Sequence, residues 1–314
     1  MAAILLILLM TITTAFSHAA IAAPPASKPQ HHLDKPIVGL PRAAHNDYRR
    51  AIALCDLGKY REARALLLEM NSRYPDQPMI LEWLSKSYMN DYDNMTANFK
   101  IAEKYLLKAV QINPDFGAGW GQLAHCMLIS GDKQRAFEYA NKAIACRSQH
   151  PDAFRVRAII YGERKNKAAA IADSDEYLKR VTDIRPAILV KASILENFAD
   201  YKGALALLEQ AQKLHYDDAT VYQIVSCMQH LNQYDLAIKQ VDQLLVKNKS
   251  DEYAMQIKAK LFATKGDYKG AIKCYSDAID QLPSASMLKE RAKLYDKIGD
   301  KAAAARYRAE ADRI

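Results

Sequence analysis

The chain has 314 residues, 50% of them hydrophobic, and contains only 11 glycines and 11 prolines. This composition excludes a collagen-like or loop-rich protein and supplies enough apolar side chains for a large core. The net charge of +8 comes from 44 basic and 36 acidic residues that are interspersed along the chain. Charges distributed in this way are typical of solvated helix surfaces, so they do not indicate a dedicated nucleic-acid site.

The N-terminal segment predicts export. Residues 3–16 form an apolar run, and residues 20–22 are the small residues that a signal peptidase prefers. We therefore expect residues 1–22 to be a cleaved signal peptide, Ala23 to begin the mature chain, and the protein to be periplasmic or secreted. No Lys or Arg precedes the apolar run, which leaves a membrane anchor formed by residues 3–22 as the alternative.

The segment that follows is predicted to be an extended linker. Residues 23–43 contain five prolines, which favour an open chain over a packed element. The five cysteines further along the chain are widely separated and include no C-x-x-C pair. Because metal-binding cysteines normally come in closely spaced pairs, no metal site is predicted from them.

From residue 44 to residue 314, a short turn-like sequence returns at a regular interval. It first occurs as LGKYREA at 57–63, and each copy closes on an alanine. The closing alanines are Ala63, Ala102, Ala136, Ala170, Ala204, Ala237, Ala271 and Ala304. After a first interval of 39 residues they lie 33 or 34 residues apart, a period that indicates stacked supersecondary units. The predicted repeats are 44–77, 78–116, 117–150, 151–184, 185–217, 218–251, 252–284 and 285–314.

Each unit is predicted to be a pair of short helices. In the third unit, Trp120, Leu123 and Met127 lie at the spacing of one helix face. Gly131 then interrupts the pattern, and a second helix carries Ala136 on the face toward the first. Small side chains there let the two helix axes approach closely, so a larger residue would force the pair apart.

The array resembles the tetratricopeptide repeat family. The resemblance is carried by residues such as Ala271, Tyr275, Ala278 and Pro283, which match the family's second-helix spacing. It implies an all-α, right-handed superhelical solenoid of about eight helix-turn-helix repeats, whose first helices line a concave groove that holds partner segments. The groove positions carried over from the family are His45, Tyr48, Met79, Glu82, Lys86, His125, Arg155, Tyr222, Gln229, Tyr253 and Gln256.

Two local irregularities interrupt the pattern. The 39-residue interval places five extra residues between Tyr88 and Ala102, which we expect to lengthen the loop between two helices. This insertion includes Asn94, the first residue of a glycosylation acceptor sequence. The glycine-rich stretch 117–121 falls at a repeat boundary without a preceding strand, so we expect a tight turn rather than a nucleotide-binding loop.

The motifs of common enzymes are absent from the sequence, including H-E-x-x-H, G-x-S-x-G and the phosphate-binding G-x-x-x-x-G-K. We therefore predict no catalytic residue, no metal and no cofactor. The leading hypothesis is an exported, non-enzymatic scaffold that binds partner protein segments. The alternatives are a helical-repeat protein that binds single-stranded RNA, and an enzyme whose cryptic site combines Glu82, Lys86 and His125.

Overall fold

A computed structural model describes residues 40–91 and 95–314. In these residues a short 3-10 helix, Arg42–Ala44, precedes sixteen α-helices, and there is no strand. The helices are α1 (His45–Asp56), α2 (Tyr60–Arg73), α3 (Pro78–Met89), α4 (Met95–Ile112), α5 (Gly117–Ile129), α6 (Lys133–Ala145), α7 (Pro151–Glu163), α8 (Lys167–Arg180), α9 (Ile184–Asn197), α10 (Tyr201–Leu214), α11 (Asp218–His230), α12 (Tyr234–Lys247), α13 (Glu252–Lys265), α14 (Tyr268–Gln281), α15 (Ala285–Lys297) and α16 (Lys301–Ala311). This confirms the prediction of an all-helical repeat fold.

Two features predicted from sequence cannot be placed. The expected signal peptide (1–22) and Asn94 of the glycosylation sequence lie outside the described residues, as does all but the end of the linker. Among the helices that are described, none combines the length and apolar character needed to span a bilayer.

The chain divides into two compact units, Met1–Arg180 and Val181–Ile314. The first contains α1–α8 and the second α9–α16, so each holds four helix pairs. In both units every helix packs against the next one in sequence. In the first unit, odd-numbered helices of successive pairs also touch one another, which places them on the inner side of the stack. In each unit taken by itself, we call the surface of the odd-numbered helices that faces away from their even-numbered partners the first-helix face.

The repeated alanines lie in the buried core. All eight, from Ala63 to Ala304, are 0% exposed. Larger neighbours on the same helices, such as Leu67 and Leu208, are also fully buried and complete the core between pairs. The burial of these alanines agrees with the prediction that they face the neighbouring helix.

The corner between the helices of a pair requires left-handed backbone. Gly131 has φ +87° between α5 and α6, and Asp132 then caps α6 by accepting a hydrogen bond from the Arg135 backbone N–H at 3.0 Å. At the same corner of other pairs, non-glycine residues adopt φ of +57° to +59°. These are Lys165, Ala199 and Asn232. Repeated sequences such as LGKYREA therefore supply the left-handed turn between the two helices of a pair.

The insertion in the second repeat differs from the prediction. Helix α4 begins at Met95, so Ala102 is its eighth residue, whereas Ala136 is the fourth residue of α6. Most of the inserted residues therefore extend α4 by one turn, and the expectation that they only lengthen a loop is wrong. The added turn is tied down by buried Asn98, whose Nδ2 donates to the Asp91 carbonyl at 2.8 Å.

The glycine-rich stretch 117–121 is also different from the prediction, because it is the first part of α5 rather than a turn. Its glycines allow close packing against the segment before α7. A Cβ added to Gly117 would lie 1.9 Å from the Ser148 carbonyl oxygen, and one on Gly121 would lie 2.8 Å from His150 Nδ1. Any residue with a Cβ would collide with its neighbours at these positions.

Candidate functional site

The predicted groove residues all lie on odd-numbered helices, namely α1, α3, α5, α7, α11 and α13. Three of them are buried, His45 and Tyr48 on α1 and Glu82 on α3. Tyr48 is 4% exposed and packs in a cluster with Leu40 and Ala44, while His45 Nε2 lies 2.9 Å from the Leu40 carbonyl oxygen. The segment before α1 therefore folds over this end of the face, and the prediction of His45 and Tyr48 as partner-contacting residues needs correction.

Helix α3 contributes an internal ion pair. Glu82 is 7% exposed, and its Oε1 lies 2.7 Å from Lys86 Nζ one turn later. The same ammonium group lies 4.2 Å from the centre of the Trp83 ring. Because Lys86 is engaged by both a carboxylate and an aromatic ring, and Met79 beside them is half-buried, this part of the face is largely satisfied within the protein.

A second network joins α5 to α7. Asp152 Oδ1 accepts from Arg155 Nε at 2.8 Å, and Oδ2 accepts from Gln122 Nε2 at 3.2 Å. The Asp152 backbone N–H donates to His150 Nδ1 at 3.3 Å. Arg155 is 17% exposed, and its two terminal nitrogens form no hydrogen bond with the described residues. We call Gln122, His125, His150, Asp152 and Arg155 the polar recess.

Electrostatics fix the protonation of the polar recess. Burial, reinforced by the positive charge of Arg155, lowers the pKa of His125 to about 3. Burial also lowers the pKa of His150. For Asp152, burial alone would raise the pKa, but Arg155 and the neighbouring imidazoles outweigh it and hold that pKa below its usual range. At neutral pH the recess therefore holds two uncharged imidazoles beside an ionised carboxylate–guanidinium pair.

Sequence reasoning identified His125 and Arg155 but missed Gln122, His150 and Asp152. The His-Pro-Asp sequence at 150–152 was an available signal, because it places a cap and an acidic first turn at a helix start. The charges acting on His125 are those of Arg155, Asp152 and His150. No hydrogen bond among the described residues joins His125 to Glu82 or Lys86, although both of these charges act on the neighbouring His150.

In the second unit, two tyrosines meet across α11 and α13. The ring centres of Tyr222 and Tyr253 lie 4.8 Å apart at an interplanar angle of 69°, an edge-to-face contact. The Tyr222 hydroxyl donates to Asp251 Oδ2 at 2.9 Å, while Asp251 Oδ1 caps α13 by accepting from the Ala254 backbone N–H at 2.9 Å. Tyr253 is 60% exposed. We call Tyr222 and Tyr253 the tyrosine pair.

Two carboxylates, Asp251 and Asp218, act on Tyr222, and a third precedes Tyr253 in the chain. Asp218 is exposed and lies one turn before Tyr222 on α11, and Glu252 directly precedes Tyr253. Burial raises the pKa of Tyr222, and the hydrogen bond to Asp251 and the negative charges of Asp251 and Asp218 raise it further. The predicted residue Gln256 donates to Glu252 Oε1 at 3.0 Å. Gln229, also predicted, is half-buried two turns beyond Tyr222.

The cysteines, all within the described residues, are free, and four of the five are buried. Burial raises the pKa of Cys55 to about 11 and that of Cys126 to about 12. Since the thiolate is the reactive form, these side chains behave as small apolar groups in the core.

Comparison with known proteins supports the repeat architecture. Residues 229–286 match the Tetratricopeptide repeat family. This segment contains α13 and α14, including Ala271, Tyr275 and Ala278, whose spacing suggested the resemblance. The curated proteins include no match to the chain.

Several solved structures share the fold. The APC/C hetero-tetramer Cut9–Hcn1 matches with a TM-score of 0.57 at 16% identity, over 83% of this chain and 48% of that chain. A tetratricopeptide repeat protein from Parabacteroides merdae matches with 0.51 at 14% identity, over 81% and 99% respectively. The human IFIT1 dimer with m7Gppp-AAAA matches with 0.56 at 16% identity, over 85% and 70%.

At these identities the likeness concerns the fold. The chain adopts a tetratricopeptide-type helical repeat architecture, and the segment 229–286 matches that family in sequence as well. The chain spans about half the length of the Cut9–Hcn1 chain that it matches.

Proposed function

We propose that this protein is a non-catalytic binding module that holds segments of partner proteins against its first-helix face. The observation that carries the proposal is that Arg155 and Tyr253 are held in place by neighbouring side chains and still have polar atoms that form no hydrogen bond with any described residue. Arg155 is held by Asp152 through Nε while its terminal nitrogens are free of protein partners among the described residues. Tyr253 is held edge-to-face by Tyr222 and is still 60% exposed.

Groups of this kind suit protein recognition. An arginine held through one edge presents its other edge to carbonyl or carboxylate oxygens, and a fixed tyrosine gives contact area at low entropic cost. Both lie on helices rather than loops, which positions them firmly. Within each unit, the stacked helix pairs hold such a group on a rigid surface that a partner segment can contact.

We further propose that the protein acts outside the cytoplasm. Support comes from the sequence, in the apolar run at 3–16 followed by the small residues at 20–22. N-terminal sequencing of the protein purified from its native cells tests this directly. A mature chain beginning at Ala23 is expected, whereas an intact N-terminus in the membrane fraction would favour the anchored form through residues 3–22.

Site-specific photo-crosslinking tests the binding function. A photoreactive amino acid placed at Gln256 on α13 is expected to form adducts with a partner protein in native cells. The matched control is Glu209, an exposed residue on the second helix α10, which is expected to form none. Adducts that form equally from both positions, or from neither, would contradict the proposal. Adducts that consist of RNA instead of protein would favour the nucleic-acid alternative.

A further inference from the structure

The tyrosine pair presents an aromatic surface of fixed orientation. Tyr222 is held by its hydrogen bond to Asp251, and its ring in turn fixes the ring of Tyr253 through the edge-to-face contact. Capping of α13 requires Asp251 but does not require an exposed ring, and yet Tyr253 is 60% exposed. An exposed aromatic ring held in one orientation offers its negative face to a cation.

The carboxylates beside the tyrosine pair are negatively charged, and no cation among the described residues pairs with them. Asp218, Asp251 and Glu252 form no ion pair with any described residue. Three cations elsewhere in the second unit pair with other carboxylates. Arg185 binds Asp217 and the Thr220 hydroxyl, Lys258 binds Asp242 at 2.7 Å, and Lys265 binds Asp235 at 2.5 Å.

Acidic residues at a helix start can also stabilise the helix alone, through its dipole. That explanation accounts for Asp251 Oδ1, which caps α13. It does not account for the second oxygen of Asp251, which orients the Tyr222 hydroxyl, or for an aromatic ring beside the acidic groups. Aromatic faces next to carboxylates are the combination that recognises ammonium and guanidinium groups in proteins.

We propose that the tyrosine pair, with Asp218, Asp251 and Glu252, binds the side chain of a lysine or arginine in the partner protein segment. This inference rests on the proposed function and specifies the partner's chemistry. The cation packs on the exposed ring of Tyr253, and Asp218 and Glu252 supply the opposite charge. A nucleic-acid strand is disfavoured at this surface, because its phosphates would meet three carboxylates.

Selection from a random peptide library tests the inference. Random dodecapeptides displayed on phage are selected on the full-length chain. We expect the bound peptides to share a lysine or arginine at one position. Changing that residue to glutamine should weaken binding to the wild-type protein about fivefold. In Tyr253→Ala the same peptide change should have almost no effect, because its contact has been removed.

Matched variants distinguish the contribution of the Tyr253 ring to the affinity from that of the neighbouring carboxylates. Tyr253→Phe keeps the aromatic face and should retain most of the affinity, whereas Asp218→Asn should weaken binding and reduce its salt dependence. The control is Tyr216→Ala, another exposed tyrosine, whose ring is covered by Lys247 Nζ at 3.1 Å. It should leave the affinity unchanged.

The outcomes distinguish the two proposals. Selected peptides without a common basic residue, or a lysine-to-glutamine penalty that persists in Tyr253→Ala, would overturn the cation site and leave the binding module intact. If the folded wild-type protein selects no peptides, the proposed function itself fails, and the cation site fails with it.

Discussion

The two units use the same helix positions for different chemistry. Asp152 and Tyr253 are both the second residue of their helices, α7 and α13, and Arg155 and Gln256 are both the fifth. In the first unit these positions join a network of charges paired within the protein. In the second unit these positions hold Tyr253, whose ring is exposed, and Gln256. The carboxylates beside the tyrosine pair form no ion pair with described residues. The repeat fixes the position of a side chain on its helix, and the residue type determines which contacts that side chain can make.

The largest expected effect on stability comes from removing the central carboxylate of the polar recess. Asp152→Ala removes the carboxylate that neutralises Arg155 and leaves a largely buried guanidinium without its partner. We expect a loss of about 3 kcal/mol in the free energy of unfolding, at the low end for buried pairs because both side chains are partly accessible. Urea denaturation measures it. The comparison in the second unit is Glu252→Ala, which removes the half-buried acceptor of the Gln256 hydrogen bond but leaves no charge unpaired, and it should cost far less. Equal losses would contradict the contrast between the units.

The first unit should also be sensitive to mild acid. His125 has a folded pKa of about 3, below its ordinary 6.5, so the unfolded chain takes up a proton that the folded chain does not. Stability is therefore complete above about pH 6.5 and falls as the pH decreases toward 3, by at most about 1.4 kcal/mol per pH unit. Denaturation at several pH values should show a flatter profile for His125→Gln. An identical profile in the variant would show that His125 does not titrate in this way.

Overpacking one helix pair should have an intermediate effect. Ala271 is 0% exposed between α13 and α14, and Ala271→Leu should destabilise the protein by about 2 kcal/mol. Ala305→Leu, an exposed position on α16, is the control and should change stability by less than about 0.5 kcal/mol. Thermal melting compares the two. An unchanged melting temperature for Ala271→Leu would mean that this residue does not hold the helices at their separation.

The smallest effect concerns a corner. Ala199 has φ +57°, a conformation that glycine adopts without strain and that occurs with glycine at the equivalent Gly131. Ala199→Gly should stabilise the protein by about 0.5 kcal/mol, since the relief of strain exceeds the added entropy of the unfolded chain. Ala204→Gly, within helix α10, should instead destabilise by about 1 kcal/mol. Chemical denaturation of both variants checks the opposite signs.

The repeat architecture was accessible from sequence because it is local and periodic. One alanine per repeat, spaced by 33 or 34 residues, marks the same close helix contact throughout the chain. Positions that depend on other parts of the chain were less accessible. Tyr48 is buried in a cluster that includes Leu40 and residues of α2 and α3, and the polar recess depends on Gln122 meeting Asp152 across two helices. The prediction for the insertion was wrong for a related reason. Its extra helical turn is held by the hydrogen bond from Asn98 to the Asp91 carbonyl.

The central claim is that partner segments bind the first-helix face. The most direct measurement is the dissociation constant of a captured partner segment for wild type, Tyr253→Ala and Glu209→Ala. We expect Tyr253→Ala to weaken binding about fivefold and Glu209→Ala, on the second helix of a pair, to leave it unchanged. Loss of binding in Glu209→Ala with full affinity in Tyr253→Ala would contradict the central claim, because the partner would then lie on the second helices.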